Sequence, residues 1–458
     1  MVEERRFEGY WWLPEHPENK VGGVLTYSPT EGARLRLFSA LDADPEKRES
    51  DEAVEFSTVL GRSTDNEEIT VKSTIRDEWN VVDVGDTTVM TAEHTSLRMY
   101  CGAHLTEDPQ FVGLRISYPR LYGWFGKTGT ESDVETTESE EPVFIERYQR
   151  PDPAIADLDE FELRVEPQTT HSSSSGLHQR NEDAAFVIDS RGDGFSFNDS
   201  WEIARSLQSF LTLACGEETY FEELIGILDD GITEVETLSS RSNYGNSSGE
   251  FDINQYTFEF SDIENRFSEL IGDWFKMSDE LEPVLSLYFA TQYNSNLYIQ
   301  NEFLSLARAI ESFHRIEYDG LYIPESEFDD YYDELVADIP SEYSQSFTDH
   351  LKDGTFKYAN EYSLRKRLNE LEDDFGELFS HLPIDFSEKI SPIVGTRNDL
   401  THPDAERESP SPEELIHYAD VLHVLLEMVL LKNLHIPDGK IKERTAIRYA
   451  PQLELNEV

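Results

Sequence analysis

Arg397-Asn398-Asp399-Leu400-Thr401-His402 stands late in a helical region, and its reading decides what the C-terminal half of this chain is. It sets a fixed cation and a titratable imidazole apart by four intervening residues. The planar fork of an arginine can hold a phosphate, and a histidine can move a proton near neutral pH. Cleavage of RNA needs both a proton transfer and a stabiliser of phosphate charge. His402 fits the first role, Arg397 the second, and Asn398 can orient either of them. Spacing alone selects poorly, because Arg98/His104, Arg164/His171 and Arg308/His314 also place a histidine shortly after an arginine. The surroundings must choose.

Outward from the hexapeptide, the pattern is helical. Pro403 follows His402 directly and disfavours helical geometry in the residue before it, so the helix carrying Arg397 is expected to end near His402. In a regular helix those two side chains would be rotated by about 140°, and only an irregular end lets them converge. Residues 411–434 form the clearest helix, with Ser411 and Glu414 as a capping box and Pro412 at its first position. Its interior, Val421-Leu422-His423-Val424-Leu425-Leu426, is apolar nearly all round, as in a helix that is buried or packs on a partner. Upstream, residues 362–379 place Leu364, Leu368, Leu371, Phe375 and Leu378 on one stripe. Residues 283–292, 297–316 and 387–400 also read as helices, the last containing Pro392.

The first 200 residues read as mostly β. Segments 21–27, 34–38, 69–71, 111–118 and 161–165 carry β-branched or aromatic residues between turn-formers. Polar stretches 129–141 and 171–176 read as exposed loops, and 238–251 as another. A helix is expected from near Asp199, capped by Asp199 or Ser200 and closed by Gly216. Residues 221–235 leave strand and short helix open. The fold class is therefore α+β: a β-rich region over 1–275, its segment 199–275 either completing that region or forming a helical bridge, then an all-helical domain over 280–445.

Charge is the other dominant feature. The 458 residues hold 94 acids against 38 Lys and Arg, a net charge of −56. Spread along the whole chain, such charge repels itself in dilute buffer. In molar salt the Debye length falls to about 3 Å. A halophile-type cytoplasmic protein is the expectation, in preference to an acidic nucleic-acid mimic. An RNA substrate is still compatible, since recognition in high salt can lean on stacking and shaped hydrogen bonds. Cys101 and Cys215 form no metal or disulfide pattern, and no stretch is long and apolar enough to span a bilayer.

Beyond these patterns, Arg-Asn-x-x-x-His at a helix end, followed by a long apolar helix, resembles the signature of the HEPN superfamily. Leu306-Ala307-Arg308-Ala309-Ile310-Glu311-Ser312-Phe313-His314-Arg315 resembles the opening HEPN helix of its ApeA-like branch, and Ser363-Leu364-Arg365-Lys366-Arg367-Leu368 its middle helix. Phe7-x-Gly9-Tyr10-Trp11-Trp12-Leu13-Pro14, then Val21-x-Gly23-x-Leu25, is similar to the start of the ApeA N-terminal domain. Residues 40–190 match only weakly. The resemblance implies a bacterial or archaeal antiviral-defence protein answering to a viral trigger. It implies a homodimer through the HEPN helices, and a metal-independent, cofactor-free endoribonuclease with Arg397 and His402 as the catalytic pair and Asn398 beside them. Asp399 departs from that pattern: it either orients His402 or repels the phosphate. The alternative is a non-catalytic HEPN module for dimerisation or ligand binding, with the N-terminal domain doing the recognition.

Other candidates carry less. Glu311 and His314 share a helix face, as a local polar pair or as supporting acid and second histidine. Arg365 and Arg367 suit either RNA phosphates or salt bridges. Of the adjacent Trp11 and Trp12, one is expected in the core. The turn holding Tyr122, Trp124 and Phe125 suits packing better than sensing. His417, His423 and His435 lack metal-site spacing.

Overall fold

A computed structural model of the chain describes residues 4–41, 54–84, 87–136, 142–174, 177–240, 255–294, 296–402 and 410–455. It divides into two units, Met1–Asp273 and Trp274–Val458. The architecture is α+β: a β-rich first unit and a helical second one.

Six strands of the first unit close on themselves. These are β1 (Arg5–Trp12), β2 (Val21–Ser28), β3 (Gly32–Leu37), β4 (Glu55–Ser63), β5 (Glu68–Val84) and β6 (Thr87–Ser96), in the antiparallel ring order β5-β4-β1-β2-β3-β6 and back to β5. Alternation explains the barrel: Val21, Gly23, Leu25 and Tyr27 of β2 are buried, which fits a period of two with one face inward. Trp11 is fully buried among Leu25, Leu35, Val59 and Ile69. Gly61 makes room for it, since a Cβ there would lie 2.2 Å from the indole. Trp12 is buried as well, edge-on to His104 at 5.1 Å.

The start of β5 also pairs with β7 (Arg98–Cys101), and from there an open sheet continues. Its strands are β8 (Gly113–Ser117), β11 (Ala154–Asp157), β12 (Phe161–Ser174), β13 (Leu177–Ser190), β14 (Glu223–Ile227) and β15 (Glu234–Ser239), in the order β7-β15-β14-β8-β13-β12-β11. A separate hairpin joins β9 (Thr130–Thr136) to β10 (Pro142–Tyr148). Helices α1 (Leu121–Phe125), α2 (Phe197–Cys215) and α3 (Phe260–Ile263) complete this unit. Trp124, fully buried, packs edge-on against Phe210 of α2 at 5.4 Å, so the aromatic turn is core.

Several expectations need correction here. Residues 130–136 and 171–174 are strand, not loop. Their Thr, Ser and acid content signals solvent, but β-branched threonines suit a strand with wet faces equally well. Of the two readings left open for 199–275, completion of the β-rich region is the one its strands fit: β14 and β15 sit between β8 and β7. Helix α2 starts earlier than expected: Ser196 is the N-cap and Asp199 the reciprocal acid of its capping box. Gly216 closes it as expected, at φ 71°. Pro403 and residues 241–251 of the third expected loop lie outside the described residues.

Helix α4 (Phe267–Glu280) spans the unit boundary. The second unit then runs α5 (Glu282–Tyr293), α6 (Ile299–Tyr318), α7 (Glu325–Ala337), α8 (Gln345–Asp349) with a π-helical turn (His350–Phe356), α9 (Leu364–Phe379), α10 (Phe386–Thr401), α11 (Pro412–Asn433) and α12 (Asp438–Leu455). Helix α6 packs on both α5 and α11. The capping box of α11 is present as read, and the five stripe residues of α9 are all buried. Each fully buried leucine of that kind contributes roughly 1.5–3 kcal/mol. Helix α12 extends past residue 445, the expected end of the domain. The segment spanning α7, α8 and the π turn buries no side chain.

Candidate functional site

Three stretches of the helical unit wall a cleft of about 700 Å³. Leu304, Arg308, Glu311 and Arg315 of α6 contribute one wall, at the spacing that aligns side chains along a helix face. The opposite face of α6, with Phe303, Leu306, Ile310 and Phe313, is core. Val394, Arg397, Asn398 and Thr401 of α10 form a second wall, again on one face. The third is the start of α9 with the residues just before it, including Tyr358, Glu361, Tyr362, Arg365 and Arg367.

Arg397 donates from Nη2 to both carboxylate oxygens of Glu311, at 3.0 and 3.3 Å, and Nη1 reaches Asn398 Oδ1 at 3.4 Å. The pair is half-exposed, with side chains 31% and 23% accessible. Glu311 therefore joins the site through Arg397 and not through His314. Asp399 is half-buried and does not line the cleft. His402 is the C-cap of α10 at φ −133°, and its backbone N–H donates to Asn398 O at 2.8 Å. Its ring is exposed and lies one residue beyond Thr401, the last α10 residue on the cleft wall. It makes no side-chain hydrogen bond among the described residues.

His314 is buried behind the cleft wall. Its Nδ1 lies 3.2 Å from Arg367 Nη1, and its Nε2 lies 2.9 Å from Glu370 Oε2. A guanidinium only donates, so Nδ1 accepts and the ring proton sits on Nε2, facing Glu370. Burial lowers the pKa of this imidazole, with Glu370 opposing. The ring stacks on Tyr318 at 4.6 Å. His314 thus holds Arg367, which also donates from Nε to Tyr362 O at 3.0 Å. Gly320, at φ 65°, admits the guanidinium, because a Cβ there would lie 2.4 Å from Nη1.

Two of the rival Arg/His spacings resolve into packing contacts, and the third divides, with His314 buried and Arg308 on the cleft wall. Arg98 lies 4.6 Å over Phe197 and pairs with Asp108, and His104 Nε2 bonds Gly61 O at 2.7 Å. Arg164 is taken by Glu162 and Asp189. Sequence reasoning missed α12, whose Arg448 and Tyr449 meet Glu427 of α11 in a buried cluster. Ile441, Thr445, Tyr449 and Leu453, four apart, were its signal.

Residues 6–274 match ApeA N-terminal domain 1, and residues 304–440 match Apea-like HEPN. The chain belongs to the ApeA family. As an ApeA protein with a HEPN domain, it is of the antiviral-defence kind. The HEPN match spans the whole cleft, from Leu304 to Thr401, and ends inside α12. No curated protein and no solved structure matches this ApeA-family chain. Among the described residues no helix is long and apolar enough to cross a membrane.

Proposed function

We propose that the helical unit is a metal-independent endoribonuclease and that the β-rich unit senses a trigger or restrains it. The observation that carries this reading is the cleft itself. In a chain of net charge −56, its lining holds five arginines and two glutamates, with Arg397 and Asn398 among them; His402 follows Thr401 outside the lining and makes no side-chain hydrogen bond among the described residues. In the reaction, the 2′-oxygen attacks phosphorus and the bond to the 5′-oxygen breaks, leaving a cyclic phosphate. Arg397 stabilises the charge gathering on the phosphate, for which its fork must leave Glu311. His402 handles protons: one leaves the 2′-hydroxyl and one joins the 5′-oxygen. Two histidines divide these tasks better than one, so the active form is a homodimer bringing two copies of the site together.

In high-salt buffer the parent is expected to cut RNA to products with a cyclic phosphate end. Arg397→Ala and His402→Ala should each remove cleavage by on the order of 10²–10³-fold or more while leaving the fold intact by circular dichroism. Cleavage by the double variant at the parent's rate would sink the mechanism. A second reading, RNA or ligand binding without cleavage, is favoured by one observation: Arg397 is already engaged by Glu311. It predicts binding with no cleavage by the parent at any salt concentration.

A further inference from the structure

The cleft offers more positive charge than Arg397 supplies. Pairing sorts its five arginines. Glu311 answers Arg397 at 3.0 Å, and Glu361 answers both Arg315 at 2.5 Å and Arg367 at 3.8 Å. Two are left over. Arg308 makes no hydrogen bond or ion pair among the described residues, and Arg365 donates only to the neutral Ser391 hydroxyl, at 2.8 Å. Both are exposed, and each keeps a full charge on the cleft wall. In a chain with 94 acids, two arginines of this one cleft therefore have no carboxylate partner among the described residues.

Folding of α9 does not explain Arg365 either. The first turns of α2, α4, α5, α6, α7, α10, α11 and α12 all carry an Asp or Glu, as the helix dipole favours. The first turn of α9 carries none, as in the two five-residue helices α1 and α8, and it holds Arg365, Lys366 and Arg367. Lys366 is answered by Glu370 at 2.7 Å and Arg367 by Glu361, which leaves Arg365 opposing the dipole with no carboxylate; a bound anion would relieve it. Tyr358 and Tyr362 line the same cleft; exposed Tyr358 offers a ring to an unpaired base, while Tyr362 carries Lys366 at 5.0 Å over its ring.

We infer that Arg308 and Arg365 form a second phosphate-binding subsite, so that the cleft holds single-stranded RNA by a flanking phosphate as well as by the one at Arg397. This rests on the RNA reading above. The test uses binding, so that cleavage is not its readout. The full chain carrying His402→Ala is titrated with a short fluorescent oligouridylate over a range of KCl concentrations. The same titration is run with Arg308→Gln and Arg365→Gln added.

On single strands each neutralised phosphate contributes about 0.7 to the slope of log affinity against log salt. Loss of the subsite should lower the slope by about that amount and weaken binding on the order of tenfold. Arg308→Lys should keep the slope. An unchanged slope with both glutamines in place overturns the subsite even if the parent cleaves RNA. No binding by the His402→Ala protein at low salt overturns it too. A lowered slope with a parent that does not cleave supports the subsite and sinks the nuclease reading instead.

Discussion

Arg448–Glu427 and Arg397–Glu311 pair the same two side chains in one helical unit, and only their surroundings differ. The first pair is 5% and 1% exposed, at 2.5 Å, and the Tyr449 hydroxyl donates to the second Glu427 oxygen at 2.7 Å. The second is 31% and 23% exposed and borders a cleft. A carboxylate filled from both sides and cut off from water fixes two helices against each other and has nothing to offer a ligand. A half-exposed pair can trade its carboxylate for a phosphate. Residue identity therefore says little about role; solvent access and the number of partners decide it.

The comparison can be broken most forcefully at the buried pair. Glu427→Ala strands the Arg448 charge between α11 and α12, and should lower unfolding stability by about 3–5 kcal/mol. Denaturant midpoints measure this, and a loss below 1 kcal/mol would show the pair to be as open as its counterpart.

The next largest effect is in pH. His423 packs against Tyr288 and Tyr449, at 5.1 and 5.9 Å. Burial holds its pKa down to about 4, with Glu427 pulling the other way. Unfolded, the ring titrates near 6.5, so unfolding takes up a proton between those values. Stability from the neutral ring is full above about 6.5 and is lost as pH falls toward 4, by no more than about 3 kcal/mol. A His423→Gln variant should flatten that part of the stability–pH curve; an unaltered slope would place the ring in water.

The smallest effect on stability belongs to the open pair. Glu311→Gln should change it by less than about 1 kcal/mol while releasing Arg397 and tightening RNA binding. A loss of several kcal/mol there would make both pairs structural and erase the distinction.

How much of this could be read in advance follows the same division. Periodicity and capping exposed α9 and α11, because burial imposes a stripe and Ser411 with Glu414 marks a start. The alternation of β2 and β3 was equally plain. Strand β9 and the far end of β12 were hidden because wet faces select Thr, Ser and acids, the same residues that loops use. Helix α12 was hidden by its charged face. At the site, Arg397, Asn398 and Glu311 could be named from the sequence and its ApeA-like resemblance. That Arg308 and Arg365 lack carboxylates could not, since it depends on which arginines Glu361 and Glu311 reach across space. His314 read as a polar-pair partner of Glu311 or as a supporting histidine, yet packing turned it inward onto Arg367 and Glu370.

The segment from α7 through the π turn leaves Tyr331, Leu335, Tyr343 and Phe347 roughly half exposed. With no side chain of its own in the core, it answers to few of the packing constraints that bind its neighbours. Its amides should exchange with deuterium first, and a protease should nick it before any other helix of the unit. Among the described helices of the unit it is the stretch whose rewriting or lengthening should least disturb the helices that hold the arginines in place.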